Sequence, residues 1–526
     1  MQGKCLVIQE ARLGDLIQTI PLMNDLSRSG YRTVLLVRPG VASAARGLSV
    51  ANEVRAWPSF GDPAVEMPLA KRLMEARGFV ASLRRENFER VVVLNHHGTG
   101  VLLARLLGIP VSGFERMLDR KENSGDSGLL FGWPGYLVAS SRGIRGLNRI
   151  HLSDMWRGFA GRQPGPPPGG SRIQSAGPVV VVLGGRSPYR RWEPEAILSL
   201  VRHIRRLDGG EVVLTGGPED EALGASIERE GGQGVRNLAG KTDMEGLRAV
   251  LAGAGVVVSP DTAPLHLAAS LGVPTVGLFF ASALFFETGA FRDGAVSVVS
   301  SMDCYPCAGE GASCPHRSCR DAPGPEALAW LIAGIKRGER GMELVAKLPK
   351  ALPGAEIWEA MASPSGLLQR VISPRELTRE RILARLLRRF YWRYLSCGED
   401  LPDLSRELVM EGGEGKAGIS VEAGNVPLSV WLNRLEQGVD LYVHLREAEL
   451  RGTQRDKLVD RLASDFPMMW PLLHFLEWVE GGDGPVRPLV AAADMLVREA
   501  AEAARLSVSG PGRGFLRHKE RIHVAI

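Results

Sequence analysis

Residues 163–170 read Gln-Pro-Gly-Pro-Pro-Pro-Gly-Gly, a run that continues neither a helix nor a central strand and makes a stiff linker. On each side of it the same pattern appears, short apolar runs separated by helical periodicity. Before it, Leu6–Gln9, Thr33–Val37 and Val91–Leu94 read as strands, with helices over Asp15–Ser29 and Val101–Leu107. After it come strands at Val179–Leu183, Val212–Thr215, Val256–Ser259 and Thr275–Phe280. Helical patterns at Pro194–Arg206, Glu219–Glu230, Met244–Ala252 and Ala263–Leu271 lie between them. Alternation of this kind builds a parallel sheet with crossover helices. The chain is therefore predicted to be α/β, with two doubly wound halves (1–162 and 178–340) joined by a Pro/Gly-rich linker over 163–177. Two such halves facing a cleft bind one ligand between them, at the carboxyl ends of the strands.

From about residue 345 the pattern changes. Arg379–Leu395, Val430–Glu449, Arg455–Ala463 and Leu489–Arg505 read as helices, and the Gly- and Glu-rich 411–425 as a loop or weak hairpin. A separate, mostly helical C-terminal domain over 345–526 is expected. The chain of 526 residues has room for more than one core. Its 44% hydrophobic and 23% charged content is that of an ordinary globular protein, which excludes global disorder. A net charge of +5 over that length indicates no nucleic-acid coat, and no nucleic-acid partner is expected. The positive charge is nearly all arginine, with only 10 lysines among 64 basic residues.

At the N-terminus Lys4, Glu10 and Arg12 flank the short run Cys5–Ile8, so no signal-peptide core forms. The 20 residues Leu267–Phe286 carry only uncharged side chains, about the length of a bilayer crossing. Gly272, Pro274 and Gly277 break them into helix end, turn, buried strand and loop. The reading is a soluble, cytoplasmic protein.

Three segments carry chemistry. Gly14-Asp15 follows the first strand directly, which puts a carboxylate at the mouth of the cleft. Asp15 could act there as a general base, or simply cap the next helix. Gly184–Trp192 follows Val179–Leu183, and its small residues let backbone approach a ligand while Arg190 and Arg191 suit a phosphate. A solvated surface loop is the alternative. Ser259-Pro260-Asp261-Thr262-Ala263-Pro264-Leu265-His266 joins a buried strand to an Ala-rich helix, whose first amides suit an anion, with the Thr262 hydroxyl beside them. His266 lies about one turn in and shares that turn with the other polar groups.

Taken in order, Gly14-Asp15-x5-Pro21, Arg190-Arg191-Trp192, Gly216-Gly217-Pro218-x-x-Glu221, Leu238-Ala239-Gly240-Lys241-Thr242 and Asp261-Thr262-x3-His266-Leu267-Ala268-Ala269 resemble glycosyltransferase family 9, the ADP-heptose:lipopolysaccharide heptosyltransferases and their relatives. The resemblance covers about residues 3–335. It implies a GT-B fold, two Rossmann-like domains with the acceptor on the N-terminal and the nucleotide sugar on the C-terminal one. It also implies inverting, metal-independent transfer of a sugar, with ADP-heptose as donor and a lipopolysaccharide core or related cell-surface glycan as acceptor. In keeping with this, the chain contains no Asp-x-Asp pair.

By the same resemblance Asp15 is the catalytic base and Arg190 the basic residue, usually Lys, that steadies the leaving diphosphate. Arg191, Glu221, Asp261, Thr262, Ala263 and His266 would line the donor site. Two departures bear on the sugar rather than the fold. Ala263 replaces a usual Gly, and Phe279-Phe280-Ala281-Ser282 stands where Phe-Gly-Pro-Thr is common. Two other roles stay open: transfer to a protein hydroxyl, and a degenerate scaffold that works by binding.

Cys304-x2-Cys307-x6-Cys314-x4-Cys319 has spacing suited to a compact four-thiolate site for a structural zinc or iron, against reduced, unliganded thiols. Some relatives carry similar cysteines at this place, and protein-modifying heptosyltransferases that resemble it can hold a structural metal. Finally, Ile382, Leu383, Leu386, Leu387, Phe390, Tyr391, Tyr394 and Leu395 make an apolar stripe, with Arg381, Arg385, Arg388, Arg389 and Arg393 over much of the remainder. Such a basic amphipathic helix could lie on an anionic inner membrane face or hold an anionic glycolipid. Otherwise it packs its stripe on its own domain and leaves the arginines in water.

Overall fold

The computed structural model describes residues 3–396 together with Glu407 and Met410, apart from 59–64, 97, 115–131, 143–144, 162–164, 168–176, 186, 303, 308–313, 315–316, 323, 349–353 and 374–378. Most of the predicted linker, Cys397 and the predicted helices beyond residue 411 lie outside the described residues.

Five parallel strands form the first sheet: β1 (Gly3–Gln9), β2 (Tyr31–Val37), β3 (Glu53–Ala56), β4 (Arg90–Val93) and β5 (Val111–Gly113), in the order β3-β2-β1-β4-β5. The second sheet contains β6 (Val179–Val182), β7 (Val212–Thr215), β8 (Val235–Asn237), β9 (Val256–Pro260), β10 (Thr275–Phe279), β11 (Val296–Ser300), β12 (Ala355–Ser363) and β13 (Gly366–Val371). Its order is β13-β12-β11-β10-β9-β6-β7-β8, with β6–β11 parallel. Helices cover both faces of a parallel sheet, so its central strands read as unbroken apolar runs, as Val91–Val93 and Val179–Val182 do. Strand order reverses between β1 and β4 and again between β6 and β9, which opens a crevice at each switch point. This is the predicted pair of Rossmann-like units of a GT-B fold.

The expected boundary near residue 345 requires correction. Residues 355–371 form the antiparallel hairpin β12–β13, which extends the second sheet beyond β11. Buried charge hides it in the sequence. Glu359 is 0% exposed and takes Arg340 Nε at 2.9 Å and Arg370 Nη2 at 2.6 Å. Glu356 takes Arg381 Nη2 at 2.6 Å.

The helix Arg379–Ser396 returns to the first unit, and both expectations for it are overturned. Leu386, Leu387, Tyr391 and Trp392 join the N-terminal core, with Tyr391 at 4.6 Å from the Tyr136 ring and Trp392 at 5.8 Å from Trp133. Arg381, Arg385, Arg388 and Arg389 are buried and face neither water nor a membrane, with Arg385 at 0% and Arg388 at 1% exposed. Arg385 donates to the Gln369 carbonyl, Arg388 to the Ser365 carbonyl at 2.6 Å, and Arg389 to Glu407 at 2.9 Å. Burial draws Arg388 down to about 10. The helix thus straps the β12–β13 hairpin to the N-terminal unit. Among the described residues no helix is long and apolar enough to cross a membrane.

Gly366 sits where strap and hairpin meet, at φ +83°, and a Cβ there would lie 2.8 Å from the Trp392 ring and closer still to the Asp154 carboxylate. Gly366→Ala combines left-handed backbone with overpacking and is expected to destabilise by about 3 kcal/mol. Urea unfolding followed by tryptophan fluorescence checks this, and an unchanged midpoint would show that the strap yields freely.

Candidate active site

The strand ends at the two switch points carry the candidate segments. β1 leads through Arg12 into the helix Leu13–Gln18, which brings Asp15 to the top of the first sheet. Asp15 Oδ2 accepts the Arg12 amide N–H at 3.3 Å, so the carboxylate also caps its own helix. The capping alternative is therefore present, and the same carboxylate stands at the cleft between the units. A Cβ on Gly14 would make ordinary contacts, 3.5 Å from the His266 ring and 3.8 Å from the Ala263 nitrogen, so the two units meet here. Burial pushes the Asp15 pKa above its ordinary value, against the Arg12 amide and His266, and the neighbouring Asp261 charge pushes the same way.

On the opposite wall, β6 ends in Leu183-Gly184-Gly185 and a 3-10 turn, Pro188–Arg190. Arg190 forks between two other segments, with Nη1 3.1 Å from Asp261 Oδ2 and Nη2 2.9 Å from Ser282 Oγ. Asp261 follows β9, and its Oδ1 is 3.6 Å from His266 Nε2. That same nitrogen lies 3.5 Å from Gln18 Nε2 of the first unit. Thr262 precedes the helix Ala263–Ser270, and its hydroxyl is 3.0 Å from Ser259 Oγ. A Cβ on Gly185 would come within 3.1 Å of the Thr262 methyl, which explains the small residue there. Asp15, Arg190, Asp261, Thr262, Ala263 and His266 thus gather where the helix Leu13–Gln18 meets the helix Ala263–Ser270.

Arg191 and Glu221 do not join that group. Arg191 turns back onto its own loop, donating to the Gly185 carbonyl at 2.6 Å and to buried Asp220 at 3.3 Å. Asp220 also accepts the Gly217 amide at 2.9 Å, so this pair ties the loops after β6 and β7 together. Glu221 opens the helix Glu221–Gly231, exposed and beside Gly240.

The structure adds residues that spacing could not supply. Arg145 reaches from the first unit to Glu287 at 3.2 Å and to the Ser282 carbonyl at 2.5 Å. His151 Nε2 lies 2.8 Å from the Gly289 carbonyl, and burial lowers its pKa to about 3, so the neutral ring donates that hydrogen bond. These two contacts clamp 282–289 across the units. Burial also pushes Glu287 up, Arg145 opposes that shift, and the charges of Asp261 and Asp15 add to it.

The cysteine loop braces the arginine turn. Arg320, next to Cys319, meets Glu193 at 2.5 Å and donates to the carbonyls of Pro188 and Arg191 at 3.2 Å each. Trp192 Nε1 donates to the Arg320 carbonyl at 3.0 Å, and the Cys307 amide to Ala281 at 3.0 Å. Burial raises the Cys307 and Cys319 thiols, and nearby cysteines raise both further. Among the described residues no three His, Cys, Asp or Glu side chains are placed to hold a metal ion, so the four thiols as positioned do not fit one.

The arrangement sets a carboxylate of raised pKa across from a guanidinium and a helix start, a pairing suited to proton removal opposite a departing anion. Residues 172–317 match the model of glycosyltransferase family 9 (heptosyltransferase). Lipopolysaccharide heptosyltransferase 1 of Pseudomonas aeruginosa is 27% identical over 336 residues, 58% of this chain and 86% of that one. Lipopolysaccharide heptosyltransferase 3 of Escherichia coli is 34% identical over 107 residues, 20% of this chain and 31% of that one. Among solved structures, the ADP-heptose lipopolysaccharide heptosyltransferase II of E. coli aligns with a TM-score of 0.45 at 19% identity, covering 62% of this chain and 96% of that one. The chain is a glycosyltransferase whose residues 172–317 resemble family 9.

Proposed function

We propose that this cleft transfers heptose from ADP-heptose to a hydroxyl of a lipopolysaccharide core or related cell-surface glycan, with inversion and without a catalytic metal. The observation that carries the reading is Asp15 of one unit standing across from the Arg190–Asp261–His266 cluster of the other. In the transfer, Asp15 takes the proton of the acceptor hydroxyl as its oxygen attacks the anomeric carbon. The bond from that carbon to the diphosphate oxygen breaks, and the electron pair leaves with the nucleoside diphosphate. Negative charge grows on that oxygen, so Arg190 and the start of the helix Ala263–Ser270 hold the transition state more tightly than the ground state. Asp261 keeps Arg190 aimed before donor binds, and Ser282 fixes the other arm of its fork. Thr262 and His266 complete the donor wall.

Consumption of ADP-heptose, set beside UDP- and GDP-hexoses under the same conditions, tests this. Selective consumption of ADP-heptose with core oligosaccharide as acceptor is expected. Turnover of a different donor, or of none, would remove the assignment.

A structural zinc or iron site at Cys304, Cys307, Cys314 and Cys319 is kept as a second proposal, although the thiols as positioned do not close one. Its support is the compact Cys-x2-Cys-x6-Cys-x4-Cys spacing. Protein purified without chelator is expected to carry about one equivalent of metal, lost in Cys304→Ser. Metal far below one equivalent in the wild type would reduce these residues to free thiols.

A further inference from the structure

Behind the helix contact that carries Gly14 and His266 lies a cavity of about 230 Å³ that the transfer chemistry leaves unused. Its wall comes from both units, with Ile17, Gln18 and Ile20 on one side and His266, Leu271 and Arg292 on the other. Arg292, in the loop ahead of β11, is 3% exposed, and its Nε and Nη2 meet no acceptor. Other buried arginines are engaged, as when Arg157 meets Asp25 at 2.6 Å and Arg320 meets Glu193. The adjacent carboxylate cannot serve Arg292 by contact. Asp293 is committed to Arg340 at 2.7 Å and to the Ala362 amide at 2.9 Å. Two more buried atoms on the same wall, Gln18 Oε1 and His266 Nδ1, also lack a hydrogen-bond partner.

A buried guanidinium with two N–H groups unmatched and only the committed Asp293 as a neighbouring negative charge is costly, and a bound anion is the direct remedy. We propose that this interdomain cavity binds a small organic carboxylate, its head on Arg292 and its short chain along Ile17, Ile20 and Leu271. Shape and lining select this class. About 230 Å³ holds roughly eight atoms of water size, which matches a carboxyl group with a chain of four to six carbons. Inorganic phosphate would fill a fraction of the space and leave the apolar wall wet. A planar carboxylate also suits the arginine fork. Because the wall spans both units and includes Gln18 and His266, which touch each other, occupancy links the approach of the two halves to the Asp261 side of the active site. The site shares only His266 with the donor wall, and the inference does not depend on the identity of the sugar donor.

Thermal unfolding of the full chain tests it, with hexanoate, hexanamide and inorganic phosphate as probes at matched ionic strength. Saturating hexanoate is expected to raise the unfolding midpoint by about 2–4 °C, and neutral hexanamide to leave it unchanged. Arg292→Gln, which removes an unneutralised buried charge, should fold with an undiminished midpoint and lose the response. Asn24→Trp, at the exposed rim of the cavity, should lose the response by blocking entry while keeping the charge. Arg190→Gln, which replaces no residue of the cavity wall, should keep it. An equal rise in Arg292→Gln, an equal rise with phosphate, loss of the response in Arg190→Gln, or no rise in the wild type would each overturn the site.

Discussion

Asp15→Asn is expected to lower turnover by about 10³-fold while leaving donor affinity within about two-fold. Asparagine keeps an oxygen for the Arg12 amide, so the helix start survives and only the base is lost. The pH dependence carries the sign. Burial raises the Asp15 pKa, and the base must be ionised, so the wild-type rate climbs with pH at values above an ordinary carboxylate's titration. In the variant that acidic limb disappears.

Stability moves the opposite way. A carboxyl whose folded pKa exceeds its unfolded one favours the fold fully below the unfolded value, and that contribution is lost as pH rises through the folded pKa. At neutral pH the ionised carboxylate therefore costs stability, and Asp15→Asn should unfold at a higher temperature than the wild type. Equal turnover in the variant, or a lower unfolding temperature at neutral pH, would take Asp15 out of the base role.

Arg190→Ala is expected to cost about 10²–10³ in kcat, since the group acts on charge that develops as the diphosphate leaves. Arg190→Lys should recover part of this, because the ammonium supplies charge without the fork that spans Asp261 and Ser282. Removing Arg190 also leaves Asp261 without that counter-charge. Asp261 already pushes Asp15 up, so the acidic limb of the rate profile should move to higher pH in Arg190→Ala. A loss confined to KM, with kcat and the limb unmoved, would make Arg190 a ground-state contact only.

The parallel core was legible because central strands of a doubly wound sheet are buried on both faces and spell themselves out as valine runs. Candidate site residues were placed for a related reason: Asp261 stands directly after its strand, and Asp15 and Arg190 lie in the short segments that lead from theirs. The β12–β13 hairpin was not, because Glu356 and Glu359 look like surface residues until Arg340, Arg370 and Arg381 neutralise them. In the helix Arg379–Ser396 the period was readable but the destination of its arginines was not. Their partners are the Gln369 and Ser365 carbonyls and Glu407, which no local pattern announces. Arg145, His151 and Gln18 act across the two units at separations of more than a hundred residues, beyond the reach of spacing. Arg191 shows the converse, a neighbour of the right chemical type whose side chain is spent on Asp220 and Gly185.

The proposed pairing of one base with one leaving-group cation implies a single displacement, with the acceptor oxygen entering opposite the departing diphosphate. The anomeric configuration of the transferred sugar, read by NMR on the isolated product, tests that most directly. The expected product has the configuration opposite to that of the donor. A product that retains the donor's configuration would require two displacements and would contradict the role assigned to Asp15.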